Sequence, residues 1–216
     1  MTDLMKELPF KEVLVIAPHT DDGELGAGGT IARLIEEGAR VTYAAFSTAQ
    51  QSVPKGLPPD ILVTEVREAT KRLGITPDRL KIYDYEVRKL NYARQQILED
   101  LVVLRAECKY DLVLAPSRHD IHQDHATVAD EAVRCFKQTT LLGYELIWNN
   151  LSFDTQAFIQ LGDAHIDAKS QALDAYSSQR RRDYMQPGFT RSMAHIRGVQ
   201  IGVKYAECFE VIRVVF

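Results

Sequence analysis

The spacing of apolar and polar residues changes several times along the chain, and each change marks an element. Val13-Leu14-Val15-Ile16-Ala17 is an unbroken apolar run rich in β-branched residues, the pattern of a strand buried on both faces of a parallel sheet. Between Thr30 and Glu37 the residues Ile31, Leu34 and Ile35 share one face, with Thr30 as N-cap and Gly38 as stop, which predicts a helix. Arg40 to Phe46 predicts a second strand, and the unit so formed should be right-handed and parallel. A polar loop with three prolines runs from Thr48 to Pro59. The pattern then predicts a helix over Asp60 to Leu73 ending at Gly74, a short strand over Lys81 to Tyr85, and a long helix capped by Asn91. The apolar face of that helix holds Ile97, Leu98, Leu101, Val102 and Leu104. A strand over Asp111 to Ala115 is closed by Pro116, and a helix over Val128 to Phe136 leads to a strand over Leu142 to Trp148. The last third is less regular, with a helix over Ile166 to Tyr176, three consecutive arginines within Gln179 to Asp183, and a closing strand over Phe209 to Val214. No repeat or linker interrupts the chain, so residues 1–216 are read as one domain. Strands alternating with helices predict an α/β fold, a Rossmann-like three-layer sandwich with a mostly parallel sheet.

Composition narrows the class without naming it. With 216 residues, 45% hydrophobic and 26% charged, the chain can bury a core of its own and is no disordered tail or disulfide-dense mini-domain. Lys+Arg of 26 against Asp+Glu of 30 gives a net charge of −4, which argues against a dedicated nucleic-acid binder. Cys108, Cys135 and Cys208 are too few and scattered for a disulfide framework or a paired-cysteine metal site. Their odd number points to a reducing compartment. Met1 to Phe10 has no apolar core of a signal peptide, and no run approaches the ~20 apolar residues of a membrane span. The expectation is a soluble cytoplasmic protein with neither nucleic acid nor membrane as partner.

Two segments concentrate the chemistry. Pro18-His19-Thr20-Asp21-Asp22-Gly23-Glu24 follows the first strand, and His119-Asp120-Ile121-His122-Gln123-Asp124-His125 follows the fourth. In an open parallel sheet, ligands bind outside the carboxyl ends of the strands, so both turns should meet at one edge. Catalytic zinc is commonly held by a mixture of histidines and a carboxylate, with one position left for water. His19, one of Asp21 or Asp22, and a histidine of the second segment could supply such a set. Two adjacent aspartates cannot easily both aim at one metal, so one can bind while its neighbour takes a proton from the nucleophilic water. Of His122 and His125, the one not bound to metal can face the substrate, with Asp124 fixing its tautomer. His119 is the spare, and His165 and His195 lack partners at ligand spacing. The glycine cluster fits neither the dinucleotide fingerprint, since position 31 is Ile31, nor a P-loop. Close helix–sheet packing is the better reading of it. The absence of G-x-S-x-G argues against a serine hydrolase.

Pro18-His19-Thr20-Asp21-Asp22 with Gly28-Gly29-Thr30, paired with His122-Gln123-Asp124-His125, resembles the PIG-L (LmbE-like) family of metal-dependent N-acetylglucosamine deacetylases. A weaker resemblance continues through Glu65 to Gly74, Arg197-Gly198 and Tyr205-Ala206-Glu207. The resemblance implies a Rossmann-like fold and one metal, Zn2+ or Fe2+, on His19, Asp22 and His125. It implies Asp21 as general base and His122 as oxyanion partner or acid toward the leaving amine, oriented by Asp124. The implied substrate is a small amino sugar or glycoconjugate that loses its N-acetyl group.

Two positions depart from relatives. Where some carry a carbonyl-polarising tyrosine, this chain has Asp120, and where many carry an arginine three residues before the glutamate matching Glu65, it has Leu62. The residues that replace these two are not identified by the sequence, nor are the particular sugar and the oligomeric state. Two rivals stand beside this reading: the same chemistry on a non-sugar acyl amide, and an inactive sugar- or nucleotide-binding module. The intact His19, Asp21, Asp22, His122 and His125 weigh against the second.

Overall fold

The computed structural model describes residues 5–216. Strand β1 (Glu12–His19) passes through Thr20 and Asp21 into helix α1 (Asp22–Glu36). There follow β2 (Arg40–Ser47), α2 (Ile61–Arg72), β3 (Leu80–Ile82), α3 (Arg94–Glu107), β4 (Leu112–Pro116) and α4 (Gln123–Cys135). The chain continues with β5 (Thr140–Tyr144), β6 (Ala157–Leu161), α5 (Asp163–Leu173), α6 (Pro187–Gln200) and β7 (Tyr205–Arg213). The strands form one seven-stranded sheet in the order β3-β2-β1-β4-β5-β7-β6. β1 to β5 run parallel to one another, and β7 is antiparallel to both β5 and β6. From β1 the sheet grows outward through β2 and β3, then resumes on the other side of β1 with β4. A crevice forms at such a reversal, beyond the carboxyl ends of the two central strands.

The alternating side chains of β1 explain the three layers. Val13, Val15 and Ala17 enter a core shared with Ile31 and Leu34 of α1, Leu62 and Val66 of α2, and Ile166 of α5. Leu14 and Ile16 enter a second core with Ile97 and Leu101 of α3 and Val128 and Ala132 of α4. The predicted α/β sandwich with its mostly parallel sheet is the observed one. No helix among the described residues is long and apolar enough to cross a membrane.

Helix α1 departs most from the sequence reading. It begins at Asp22, so Thr30 lies inside it and does not cap its start. Glycines in a helix interior ordinarily cost stability, yet here they allow close approach. A Cβ on Gly23 would stand 2.5 Å from the Tyr43 ring, and one on Gly26 2.3 Å from that of Tyr144. The helix is also kinked at Ala27 (φ −140°). The carboxylate of Glu207 in β7 accepts the N–H groups of Gly29 (3.0 Å) and Thr30 (2.7 Å). Lys169 bridges that carboxylate to the carbonyl of Leu25, at 2.7 Å each. A side chain from 177 residues away thus does the capping expected of Thr30.

Four further elements differ. α4 starts at Gln123, so Asp124 and His125 occupy its first turn. The strand expected over Leu142 to Trp148 stops at Tyr144, and the chain turns so that Trp148 and Asn149 line the crevice. β6 and α6 were not predicted: β6 is a half-buried edge strand of five residues, and α6 leaves Ile196 and Val199 in solvent, which blurs its period.

Candidate active site

The two turns meet at the crevice around a cavity of about 240 Å³. His19, Asp21 and Asp22 come from the β1–α1 turn, and His122 and His125 from the β4–α4 turn. All five line the cavity, and Asp124 is buried beside them. The side chain of His119 is 41% exposed near Asp154 and Glu210, and His165 is engaged by Glu36. Neither His119, His165 nor His195 lines the cavity.

The adjacent aspartates point to different tasks. Asp22 Oδ2 accepts the His19 backbone N–H at 2.8 Å and lies 3.1 Å from His19 Nδ1 and 3.2 Å from His125 Nε2. Those two nitrogens are 3.1 Å apart. Asp21 occupies the N-cap of α1 but its side chain makes no capping bond. Its carboxyl is raised to about 6, by burial first and then by the charge of Asp22.

The outer nitrogens settle what the inner ones offer. His19 Nε2 is 2.9 Å from Asp124 Oδ2, and His125 Nδ1 is 2.7 Å from Asp120 Oδ2. A proton shared with a carboxylate at each outer nitrogen leaves a lone pair on His19 Nδ1 and on His125 Nε2. With both rings in the neutral tautomers that these carboxylates favour, the two lone pairs and the Asp22 carboxylate face one another. Ligands of one tetrahedral cation at ~2.0–2.1 Å would stand about 3.3–3.5 Å apart, close to the spacings observed. His19, Asp22 and His125 therefore have the chemistry and spacing to hold a divalent metal. His122 also offers a nitrogen within 4.8 Å of those of His19 and His125. Without a metal the triad behaves as an ion cluster. Burial alone would lower His125, but Asp22 and Asp120 raise it to about 10, while the two imidazoles overcome burial to hold Asp22 well below the usual carboxylate range.

The structure corrects the expected pairing of Asp124 with His122. The Asp124 carboxylate meets His19 and accepts the N–H groups of Arg88 (2.6 Å) and Leu90 (3.2 Å). His122 is the N-cap of α4, and its Nδ1 accepts the Asp124 backbone N–H at 3.2 Å. An accepting Nδ1 is unprotonated, so Nε2 of the neutral ring carries the hydrogen. Burial, then the charges of His125 and His19, shift His122 downward. Asp124 therefore does not orient the His122 ring through its carboxylate.

Asp120 was noted in the sequence only as a missing tyrosine. Besides His125, it accepts the His122 backbone N–H at 2.8 Å. Leu62, noted as a missing arginine, lines the cavity beside Ser52 and Gln179. Arg88, Trp148, Arg182 and Tyr184 complete the wall. They belong to separate loops with no local spacing to connect them. The three-arginine run over residues 180–182 was the one hint in the sequence.

The pattern of the PIG-L family, described as GlcNAc-PI de-N-acetylase, matches residues 14–136, which span both turns. The chain is 28% identical over 182 residues to the "Uncharacterized deacetylase YaiS" of Escherichia coli K12, covering 78% of this chain and 91% of that one. It is 25% identical over 221 residues to a diacetylchitobiose deacetylase of Thermococcus kodakarensis, covering 91% and 81%. Among solved structures, the conserved protein TT1542 of Thermus thermophilus superposes with a TM-score of 0.80 at 29% identity, covering 94% of this chain and 95% of that one.

Proposed function

The chain belongs to the PIG-L family, and from that premise we propose that it is a metal-dependent amidohydrolase, a single domain that removes the N-acetyl group from an amino sugar of the N-acetylglucosamine type. The observation that carries this reading is the convergence of three lone-pair donors, on His19, Asp22 and His125, beside the uncapped carboxylate of Asp21. A divalent metal held there, zinc with ferrous iron as the alternative, supplies Lewis acidity and a water made acidic near neutral pH. Asp21 takes a proton from the attacking water and returns it to the nitrogen as the C–N bond breaks, giving the free amine and acetate. Nε2–H of His122 donates to the carbonyl oxygen as it gains charge, the task that falls elsewhere in relatives with a tyrosine at position 120. Asp124 acts through His19, and Asp120 through His125, by fixing the tautomers that leave ligand lone pairs inward. The relatives' names support a small amino-sugar substrate: one acts on diacetylchitobiose. The three free cysteines fit a reducing, cytoplasmic setting.

The test is elemental analysis of the purified protein together with a mass-spectrometric screen of N-acetyl sugars and N-acyl amino acids. One divalent metal per chain and acetate released from the sugars is the expected result. Hydrolysis confined to the acyl amino acids would hand the site to the rival amide chemistry. A protein that takes up no divalent metal would remove the basis of the reading.

A further inference from the structure

Lys169 of α5 and Glu207 of β7 are both buried, and Lys169 Nζ lies 2.7 Å from Glu207 Oε1. A buried ion pair seldom adds much stability, because desolvation cancels most of the attraction, and apolar replacement of both partners is often neutral or stabilising. The backbone groups that this pair touches show what it does instead. In a straight helix the Leu25 carbonyl would take the Gly29 N–H, and the Gly26 carbonyl the Thr30 N–H. The kink of α1 at Ala27 falls between these partners. There Glu207 accepts the N–H groups of Gly29 and Thr30 at 3.0 and 2.7 Å, and Lys169 Nζ donates to the Leu25 carbonyl at 2.7 Å. The ion pair is thus inserted into the hydrogen-bond ladder of α1. Gly28 and Gly29, members of the cluster that no nucleotide-binding motif explains, make room for it. A Cβ on Gly28 would stand 2.8 Å from Lys169 Cγ, and one on Gly29 would stand 2.6 Å from Leu161 and 3.2 Å from Glu207 Oε1.

The turn ahead of the kink carries Asp22, the first residue of α1, with Asp21 just before it. Both ends of that turn are gripped from one element. Lys169 holds the Leu25 carbonyl, and the hydroxyl of Tyr176, three residues past the end of α5, lies 2.7 Å from the Thr20 carbonyl oxygen. The two aspartates lie between these grips. Asp22 has little tolerance for a change of direction, since its Oδ2 sits 3.1 Å from His19 Nδ1 and 3.2 Å from His125 Nε2 at once. A straight α1 would leave no place for the pair and would redirect the turn that bears this carboxylate.

We infer that Lys169 and Glu207 are positioning residues for the triad of His19, Asp22 and His125. By holding α1 bent at Ala27, they aim the Asp22 carboxylate between the two imidazoles and set Asp21 beside it. The role of the triad as a metal site rests on the reading above; the placement of Asp22 by the ion pair does not.

The test removes the pair without leaving a buried charge. Lys169→Met combined with Glu207→Leu takes away the partners of the Leu25 carbonyl and of the Gly29 and Thr30 N–H groups, which then regain partners along a straightened α1. Affinity for Zn2+, measured by competition against a chelator, should fall about 10–100-fold, the usual cost of losing a group that orients a metal ligand. The ligand-field absorption of the Co2+-loaded protein should change with it. Leu101→Ala is the control for stability alone, since it opens a cavity in the second core, against α3. It should lower the urea midpoint and leave Zn2+ affinity and the Co2+ spectrum as in the parent. An affinity in the double variant equal to the parent's, or reduced no more than in Leu101→Ala, would overturn the inference. Should the double variant fail to fold, Lys169→Met alone decides. Glu207 then keeps its two N–H donors, and only the Leu25 carbonyl loses its partner. Zn2+ affinity should fall about tenfold, the lower end of the same range, and an unchanged affinity overturns the inference. If the parent takes up no divalent metal, the metal-site reading fails, and the metal-free protein decides this one. The ring resonances of His19 and His125, which face Asp22, should shift in the double variant and not in Leu101→Ala; parental positions in both would overturn it.

Discussion

The turn after β1 and the turn after β4 supply the same residue types to the same cavity, but they are held in different ways. The first is braced from behind by groups of distant origin. The hydroxyls of Tyr43 and Tyr176 lie 3.0 and 2.7 Å from the Thr20 carbonyl oxygen, and both also meet the Glu24 carboxyl. Burial pushes that carboxyl up to about 8, so at neutral pH it has a proton to donate to a tyrosine oxygen. Asp21 and Asp22 stand on this neutral, buried support. The second turn is braced largely from within: Asp120 accepts the His122 N–H and holds the His125 ring, and His122 caps the helix that carries His125, while the Asn149 carbonyl takes the Ile121 N–H from the loop after β5. Behind the inner contacts of Asp22 and His19 with His125, Asp124 crosses over from the second turn to the outer nitrogen of His19 in the first. The first turn is therefore built to present carboxylates of different character side by side, and the second to aim imidazoles.

The largest expected effect lies in the first turn. Asp21→Asn should retain the metal and the fold and lose about 10²–10⁴ in kcat, the usual worth of positioned proton transfer. Asp22→Asn should instead lose the metal, because an amide replaces the anionic member of the triad. Parallel metal analysis and kinetics separate the two. Equal loss of metal in both variants would mean that the adjacent carboxylates share one task, and the contrast within this turn would be gone.

A smaller effect is expected in the second turn. His122→Ser keeps an N-cap oxygen for α4, since serine is among the preferred caps, and removes the ring N–H. Metal content and melting temperature should stay near those of the parent, while kcat falls about 10²–10³, as for other lost oxyanion donors. Unchanged kcat would reduce His122 to a helix cap.

Both turns were legible in the sequence because their parts are local. A strand-sized apolar run followed by His and Asp before a helix places those residues at the sheet edge with no knowledge of the rest. The partners were not legible for the same reason. Asp124 neighbours His122 and His125, which made it the natural orienter of His122, yet it lies in the first turn of α4, which aims its carboxylate across to a residue 105 positions away. Thr30 looked like a cap because four glycines precede it. Gly23 and Gly26 admit Tyr43 and Tyr144 against the helix, Gly28 and Gly29 face Lys169 and Leu161, and Glu207 does the capping. Arg88, Trp148 and Arg182 reach the cavity from loops whose course depends on where β5 stops and on how the chain turns after α5. No period or motif encodes that.

The smallest effects should sharpen the contrast between bracing within a turn and bracing across turns. Asp120 and Asp124 each face the outer nitrogen of a ligand histidine, at 2.7 and 2.9 Å. Asparagine at either position can offer its NH2 to that nitrogen, which shifts the ring proton to the inner nitrogen and removes the lone pair needed for metal. Both Asp120→Asn and Asp124→Asn should therefore weaken metal affinity by about 10–100-fold, the usual cost of losing such a partner, measured by competition against a chelator. Stability of the metal-free protein should tell them apart. The Asp124 carboxylate also accepts the N–H groups of Arg88 and Leu90, whereas the one backbone bond to Asp120, from His122, stays within its own turn. Asp124→Ala leaves two loop amides without their acceptor and frees the Arg88 backbone, strained at φ +70°, so it should cost about 1–3 kcal/mol in denaturant unfolding of the metal-free protein. Asp120→Ala should cost less. If Asp120→Ala proved as destabilising as Asp124→Ala, the crossing carboxylate would hold no more structure than the local one, and the second turn would not be the brace for the first.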